Sequence, residues 1–233
     1  MRRFLATFIF VSMSGTFGVG VSTAQVPVPE TYSDSLKWRE RAAEAGNAKA
    51  QYQLGKILDS GLKVEPDKRE AAEWYGKAAA QGHTEAQMRL AQMYYDGDGV
   101  ARDLARAVGL YGVAAKAGIT QAQFNYAVMM EAGTGIKRNL SEAAKFYKQA
   151  ARKGVLDAQI NLAMLYARGA GVELDLKQAM IWLEVATAGG AYVPKNVHDS
   201  LRSALAPAQH DEVNLEAKML QAEIAGYKIL DKK

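Results

Sequence analysis

The side chains that could carry out chemistry are few and scattered in this sequence. Its histidines are not spaced with one another, or with a group of acids, as metal ligands are: His83, His198 and His210. We expect His83 to be a solvated residue in the first turn of a helix. The chain has no cysteine, which excludes thiolate metal sites, thiol nucleophiles and disulfide bonds. We therefore predict a protein that is not an enzyme and that holds no metal or cofactor.

Three glycine-containing loops are similar in composition to phosphate-binding sequences. They are Gly97-Asp98-Gly99, Gly133-Thr134-Gly135 and Gly169-Ala170-Gly171. A dinucleotide site needs its glycines between a strand and a helix, whereas these loops recur at a fixed interval between two predicted helices. We therefore interpret them as turns.

The N-terminal segment has the features of an export signal. Arg2 and Arg3 precede a mostly apolar, uncharged stretch at 4–21, and the small residues at 22–24 match a cleavage site. We predict a mature chain that begins at Gln25 and is periplasmic or secreted, with no stable membrane insertion after cleavage. An uncleaved membrane anchor is the alternative, although the apolar stretch barely reaches spanning length.

The overall charge gives little reason to expect a nucleic-acid partner. The formal net charge of the 233 residues is +4 at pH 7, and Arg2 and Arg3 contribute part of it. The remaining lysines and arginines form no stripe of the kind that nucleic-acid-binding surfaces show. We predict that the protein binds no nucleic acid.

A 36-residue period organises the chain that follows the signal. One set of glycines keeps this spacing: Gly46, Gly82, Gly118, Gly154 and Gly190. So do the Ala-Gln pairs: Ala50-Gln51, Ala86-Gln87, Ala122-Gln123 and Ala158-Gln159. Periods of this length are typical of stacked helical units.

Each unit is predicted to contain two helices. In the first helix, Ala86, Leu90 and Tyr94 share one helical face, and Gly97 ends it. The second helix begins at a polar N-cap residue: Thr31, Asp67, Asp103, Asn139 and Asp175. Three units have a residue that can close a capping box three positions later: Glu70, Glu142 and Gln178.

The second helix carries an apolar stripe that a single helix pair cannot bury, so the units must stack. A large residue recurs at one position of the stripe: Trp38, Trp74, Leu110, Phe146 and Trp182. Alanine recurs at another: Ala42, Ala78, Ala114, Ala150 and Ala186. We predict that all three tryptophans lie in the core, and that the alanines allow close helix packing.

The pattern over residues 84–118, with its Thr-Glu-Ala-Gln start and its Asp-Gly-Asp-Gly-Val loop, resembles the Sel1-like repeat, a relative of the tetratricopeptide repeat. This resemblance implies an all-α fold, a right-handed α/α superhelix, or solenoid, of helix pairs. The predicted organisation is a signal peptide at 1–24, a linker at 25–30, a half-repeat helix at 31–46, repeats at 47–82, 83–118, 119–154 and 155–190, a degenerate capping unit at 191–226 and a tail at 227–233. In the capping unit we expect a short helix and, after Pro207, a longer one that runs to about Ala225.

In related repeats, the first helix of each pair lines the concave inner wall of the superhelix, and the resemblance implies the same here. Two rows of polar residues are then candidates for binding a partner protein. One row is Gln53, Arg89, Asn125 and Asn161, and the other is Lys49, Glu85, Gln121 and Asp157. The alternative is an ordinary solvated helix face.

The resemblance also implies a function, a protein–protein interaction scaffold, adaptor or regulator of the bacterial cell envelope. One alternative is a cell-wall protein that binds or hydrolyses peptidoglycan or β-lactams, as cysteine-rich relatives have been linked to doing. Another is a structural subunit of an envelope complex. The sequence identifies no particular partner.

Overall fold

The computed structural model describes residues 32–62 and 64–230. The predicted signal peptide, the linker, the Thr31 cap and residues 231–233 lie outside this part of the chain. The described residues contain helices and no strand, which confirms the predicted all-α solenoid. The helices are α1 (Tyr32–Glu44), α2 (Ala48–Ser60), α3 (Lys68–Ala80), α4 (Thr84–Asp96), α5 (Leu104–Lys116), α6 (Thr120–Ala132), α7 (Leu140–Arg152), α8 (Leu156–Arg168), α9 (Leu176–Ala188), α10 (Lys195–Ala204) and α11 (Gln209–Leu230).

Polar caps begin the second helix of each unit, as predicted. The side-chain oxygens of four cap residues accept from the backbone N–H three positions later, at 2.9–3.0 Å: Asp67, Asp103, Asn139 and Asp175. The predicted capping boxes are wrong. The cap's own N–H donates to a carbonyl of the preceding helix, as from Asp67 to Leu58 at 3.0 Å, so a side chain three positions later has no donor to satisfy. Glu70, for example, accepts from Trp74 Nε1 instead.

The glycine-containing loops are turns, as interpreted, and their second glycine fits closely against the preceding unit. Gly135 has a φ of +70°, and a Cβ added there would lie 2.3 Å from the carbonyl oxygen of Leu104, in the first turn of α5. Gly171 approaches Leu140 of α7 in the same way. These glycines therefore permit contact between successive units.

The core runs along the whole stack. Each helix from α1 to α9 packs against the next one along the chain. The alanines predicted to allow this approach are fully buried in the interior units: Ala78, Ala114, Ala150 and Ala186. The tyrosines or leucine beside the large position are also buried: Tyr75, Tyr111, Tyr147 and Leu183.

The tryptophans do not all lie in the core, so that prediction is wrong in part. Trp182 in α9 is 2% exposed, but Trp38 in α1 is 40% exposed. Trp74 is half-buried, and the Lys77 ammonium lies 3.6 Å from the centre of its ring. The difference follows from the number of neighbouring helices: α9 packs against α8, α10 and α11, whereas α1 makes its main contact, among the described helices, with α2.

The last two helices pack against α9. Val213, Ala217 and Ile224 form the buried face of α11, and Lys177 of α9 forms ion pairs with Glu212 and Glu216 at 2.8 Å. α11 has 22 residues and continues past the predicted end near Ala225. None of the helices in the described part of the chain is long and apolar enough to cross a membrane.

Candidate partner-binding site

The eight residues predicted to bind a partner all lie on α2, α4, α6 and α8, and we call the surface they share the first-helix face. The members of one row are exposed, near the start of each helix: Lys49, Glu85, Gln121 and Asp157. The other row lies one turn later and is half-buried: Gln53, Arg89, Asn125 and Asn161. The structure thus places the two rows side by side but does not test whether they bind a partner.

Arg89 is held within the protein rather than free on the surface. Its Nε and Nη2 donate to the Asp59 carboxylate at 2.6 and 2.7 Å, which joins α4 to α2. Asp98 lies 3.8 Å from the same guanidinium and accepts from Lys68 at 2.7 Å. The hydrogen bond from Arg89 lowers the pKa of Asp59, because it stabilises the charged carboxylate. Arg89 therefore stabilises the contact between the first two repeats.

A layer of buried tyrosines supports the first-helix face. The ring of each lies in the core, and its hydroxyl donates to a first-helix side chain: Tyr75 to Asp59 at 3.2 Å, Tyr111 to Gln92 at 2.7 Å and Tyr147 to Glu131 at 2.8 Å. Burial raises the pKa of all three tyrosines, that of Tyr111 to about 12, so the hydroxyls stay protonated at neutral pH.

Two residues of the predicted half-buried row attach to this layer. Interaction with the side chain of Asn125 lowers the pKa of Tyr111, and interaction with that of Asn161 lowers the pKa of Tyr147, in both cases against the larger effect of burial. Our sequence reasoning missed the tyrosines as part of the site. Their recurrence at 36-residue spacing in the apolar stripe was the available signal.

The glutamine of each Ala-Gln pair is buried and joins two helices. Its Nε2 donates to the carbonyl eight residues earlier, at the end of the preceding helix: Gln51 to Ala43, Gln87 to Ala79, Gln123 to Ala115 and Gln159 to Ala151, at 3.0–3.3 Å. Gln51 Oε1 also accepts from Gln81 at 2.7 Å. The Oε1 atoms of Gln87, Gln123 and Gln159 have no hydrogen-bond partner in the described structure. The repeated glutamine is therefore a structural element of the stack.

A pocket of about 180 Å³ opens on the first-helix face between α4 and α6. Its lining combines aromatic, aliphatic and amide groups: Gln92 and Tyr95 from α4, Tyr111 from α5, and Phe124, Asn125 and Val128 from α6. The mixture can contact an apolar group and hydrogen-bond to a peptide at the same place. Of the predicted residues, Asn125 lies in this pocket.

Gln53 lines a second and shallower groove, between α1 and α2, of about 220 Å³. Arg39 and Lys56 border the groove, and Arg39 Nε donates to Gln53 Oε1 at 3.3 Å. The predicted row therefore reaches two separate openings, one basic and one largely uncharged.

The histidines of the described residues belong to no group of metal ligands. His83 is not a solvated residue as predicted: its Nδ1 accepts from the Ala86 N–H at 3.4 Å as the cap of α4, and its ring stacks on Tyr52 at 4.6 Å. His198 contacts Glu184 at 3.0 Å. In residues 32–62 and 64–230, no three His, Cys, Asp or Glu side chains are grouped as metal ligands.

Comparison with known proteins gives a consistent result. A model of the Sel1 repeat matches residues 28–47, 48–83, 84–119, 120–155 and 156–196. The crystal structure of a Sel1 repeat protein from Oxalobacter formigenes is similar, with 26% identity and a TM-score of 0.57 over 72% of this chain and 79% of that one.

A protective antigen of uropathogenic Escherichia coli with an SLR fold is also similar, with 27% identity and a TM-score of 0.52. The match covers 88% of this chain and 52% of the antigen, so this chain corresponds to about half of that protein. A search of curated proteins gives no match.

Proposed function

Because the chain belongs to the Sel1 repeat family, whose members generally mediate protein–protein interactions, we propose that it is a non-enzymatic scaffold that binds a segment of a partner protein along the first-helix face. We further propose that it acts as an adaptor or regulator in the bacterial cell envelope. The envelope location rests on the export features of residues 1–24.

The observation that carries the binding proposal is the pocket between α4 and α6, with its combined aromatic and amide lining. Interfaces depend on a few well-packed anchor contacts surrounded by polar groups, and this opening offers both. The hydroxyl of the buried Tyr111, below the pocket, donates to Gln92 at 2.7 Å. On the surface, Gln121 donates to Asn125 at 3.1 Å. These bonds hold the surface in one arrangement, which reduces the entropy lost when a partner binds.

The binding proposal can be tested with exposed residues of the first-helix face. In the variant Glu85→Lys with Asp157→Lys, two exposed acids of the first-helix face change sign. The control is Glu73→Lys, an acid on α3 that is also exposed. Partners are crosslinked to the tagged full chain in intact cells and quantified by mass spectrometry. We expect the double variant to lose a specific partner that the control retains, with unchanged helicity. Equal capture by both variants would contradict binding along the two polar rows of the first-helix face.

The location is tested separately. A C-terminally tagged chain is expected in the periplasmic or culture fraction, and mass spectrometry of its N-terminus should give a chain that begins at Gln25. A tagged chain that stays in the cytoplasm with Met1 present would contradict the envelope role and leave the binding proposal intact.

A further inference from the structure

We propose that the pocket between α4 and α6 is the anchor site for the partner: it receives one apolar side chain of an extended peptide whose neighbouring lysine or arginine pairs with Asp96. This inference rests on the proposed function and specifies its ligand. The argument uses the size of the pocket, its difference from the neighbouring helix junctions and the charge at its edge.

The pocket has the size of an anchor site. Its volume of about 180 Å³ is below the roughly 300–1,000 Å³ of typical small-molecule sites. Phe124, Tyr95 and Val128 provide apolar walls, and Val128 is 36% exposed, so a ligand can reach it. An opening of this kind accommodates a single buried side chain, which is how hot-spot residues bind at protein interfaces.

The neighbouring junctions of the first-helix face are bridged by their own side chains. Between α2 and α4, Arg89 binds Asp59, and between α6 and α8, Arg168 lies 3.5 Å from Glu131. At the junction of α4 and α6, Tyr95 occupies the position of the acids Asp59 and Glu131. The positions of the two cations, Arg89 and Arg168, are occupied by Asn125 and Ala132. No ion pair can form between these side chains, so this junction is left open to a ligand.

A carboxylate without a cation lies at the edge of the pocket. Asp96 is exposed, and its Oδ2 accepts from Nε2 of Gln92, a pocket residue, at 2.7 Å. Among the described residues, no lysine or arginine lies within ion-pair distance of Asp96. Its charge also contributes to the raised pKa of Tyr111 at the base of the pocket. A partner with a basic residue next to the anchor complements this charge.

The amide groups suit the backbone of an extended peptide. The hydroxyl of Tyr111 and the side chains of Gln92 and Asn125 offer both donors and acceptors around the apolar walls. A partner that binds through an acidic segment would instead be repelled by Asp96. The structure thus favours an apolar residue with a basic residue near it in the partner sequence.

The test begins with selection of nine-residue peptides from a random display library on the full-length protein, followed by titration of fluorescein-labelled synthetic peptides. We expect the selected peptides to share an apolar or aromatic residue with lysine or arginine within two positions. A selection that gives other sequences, or no peptide at all, would overturn the proposal.

Variants then locate the bound peptide. Val128→Arg places a long cation in the opening and should weaken binding by roughly 30-fold or more, the size of a hot-spot loss. Val113→Arg is the control, since Val113 is 53% exposed on α5. Asp96→Asn should weaken binding by about two- to five-fold and reduce its salt dependence. Tyr95→Ala removes one wall and gives a second measurement of the pocket.

The outcome separates this inference from the proposed function. If Glu85→Lys with Asp157→Lys abolishes binding of the peptides while Val128→Arg does not, the first-helix face binds but the pocket is not its anchor. If neither variant changes the affinity, both proposals fail. If Val128→Arg, Tyr95→Ala and Asp96→Asn weaken binding and Val113→Arg does not, the anchor is identified.

Discussion

The second glycine of the inter-helix loop should be required for contact between repeats, and a pair of glycine substitutions can isolate that effect. Gly135 and Gly118 both have positive φ angles, +70° and +90°. A Cβ at Gly135 would meet the backbone of Leu104, whereas a Cβ at Gly118 would have no atom within 4 Å. Both substitutions, Gly135→Ala and Gly118→Ala, therefore force alanine into a backbone conformation with positive φ. Only Gly135→Ala adds a clash with the preceding repeat.

The magnitudes follow from these distances. A residue other than glycine in a left-handed conformation costs about 1–2 kcal/mol, and Gly118 lies further from the ideal φ of about +57° than Gly135 does. At Gly135 the added methyl would lie 2.3 Å from the Leu104 oxygen, whereas ordinary contacts begin at 3.4 Å. The nearest atoms are backbone, so no rotamer change relieves the clash, and overpacking of this kind costs about 1–3 kcal/mol more.

The assay is urea unfolding followed by circular dichroism, together with hydrogen exchange to localise the effect. We expect Gly118→Ala to lower the free energy of unfolding by about 1–2 kcal/mol and Gly135→Ala by about 2–5 kcal/mol. Loss of protection should concentrate in α5 and α6, because a repeat stack is held by contacts between neighbours. Equal destabilisation by the two substitutions, or a larger effect at Gly118, would refute the close-contact argument.

Three further predictions concern the polar groups of the stack. Gln159→Met should cost less stability than Gln51→Met, because it loses one hydrogen bond, to Ala151, and also removes an unpaired Oε1. Gln51→Met loses bonds at both ends of the amide and should cost about 1–3 kcal/mol in thermal unfolding. Asn139→Ala should cost about 1 kcal/mol by loss of the α7 cap, measured by urea unfolding. Arg89 lowers the pKa of Asp59, so this carboxylate stabilises the fold above its ordinary pKa near 4 and loses that effect as the pH falls through the lowered value. The difference in unfolding free energy between the wild type and Asp59→Asn should therefore narrow between pH 5 and pH 2, as measured by urea unfolding at each pH.

Much of the fold could be predicted from spacing alone. Glycines, Ala-Gln pairs and polar caps recur at the same interval, and each has a local physical reason for its position. The wrong predictions concern packing neighbours and hydrogen-bond partners, which the spacing of residues in the sequence does not reveal. Whether a tryptophan such as Trp38 is buried depends on how many helices pack against it, and the capping boxes fail because Asp67 N–H already donates to Leu58.

The site was less predictable for a related reason. Periodicity indicates which residues share the first-helix face, and the structure places all eight candidates there. It does not indicate that Arg89 is paired with Asp59 across two repeats, since these residues lie 30 positions apart in the chain. Periodicity also does not distinguish Tyr95 from Glu131, which occupies the equivalent position. Tyr95 lines an open pocket, whereas Glu131 accepts a hydrogen bond from Tyr147.

The specificity of such a stack must come from positions where the repeats differ. The buried alanines, glutamines and tyrosines are nearly the same in every unit, because each must reproduce the same contact with its neighbour. On the first-helix face the chemistry changes from one junction to the next: an ion pair between Asp59 and Arg89, then the opening beside Tyr95 and Asn125, then the pairing of Glu131 with Arg168. A partner that binds along this face meets a fixed spacing of junctions with different chemistry at each. Affinity can therefore concentrate at one open junction while the closed ones keep the surface rigid around it.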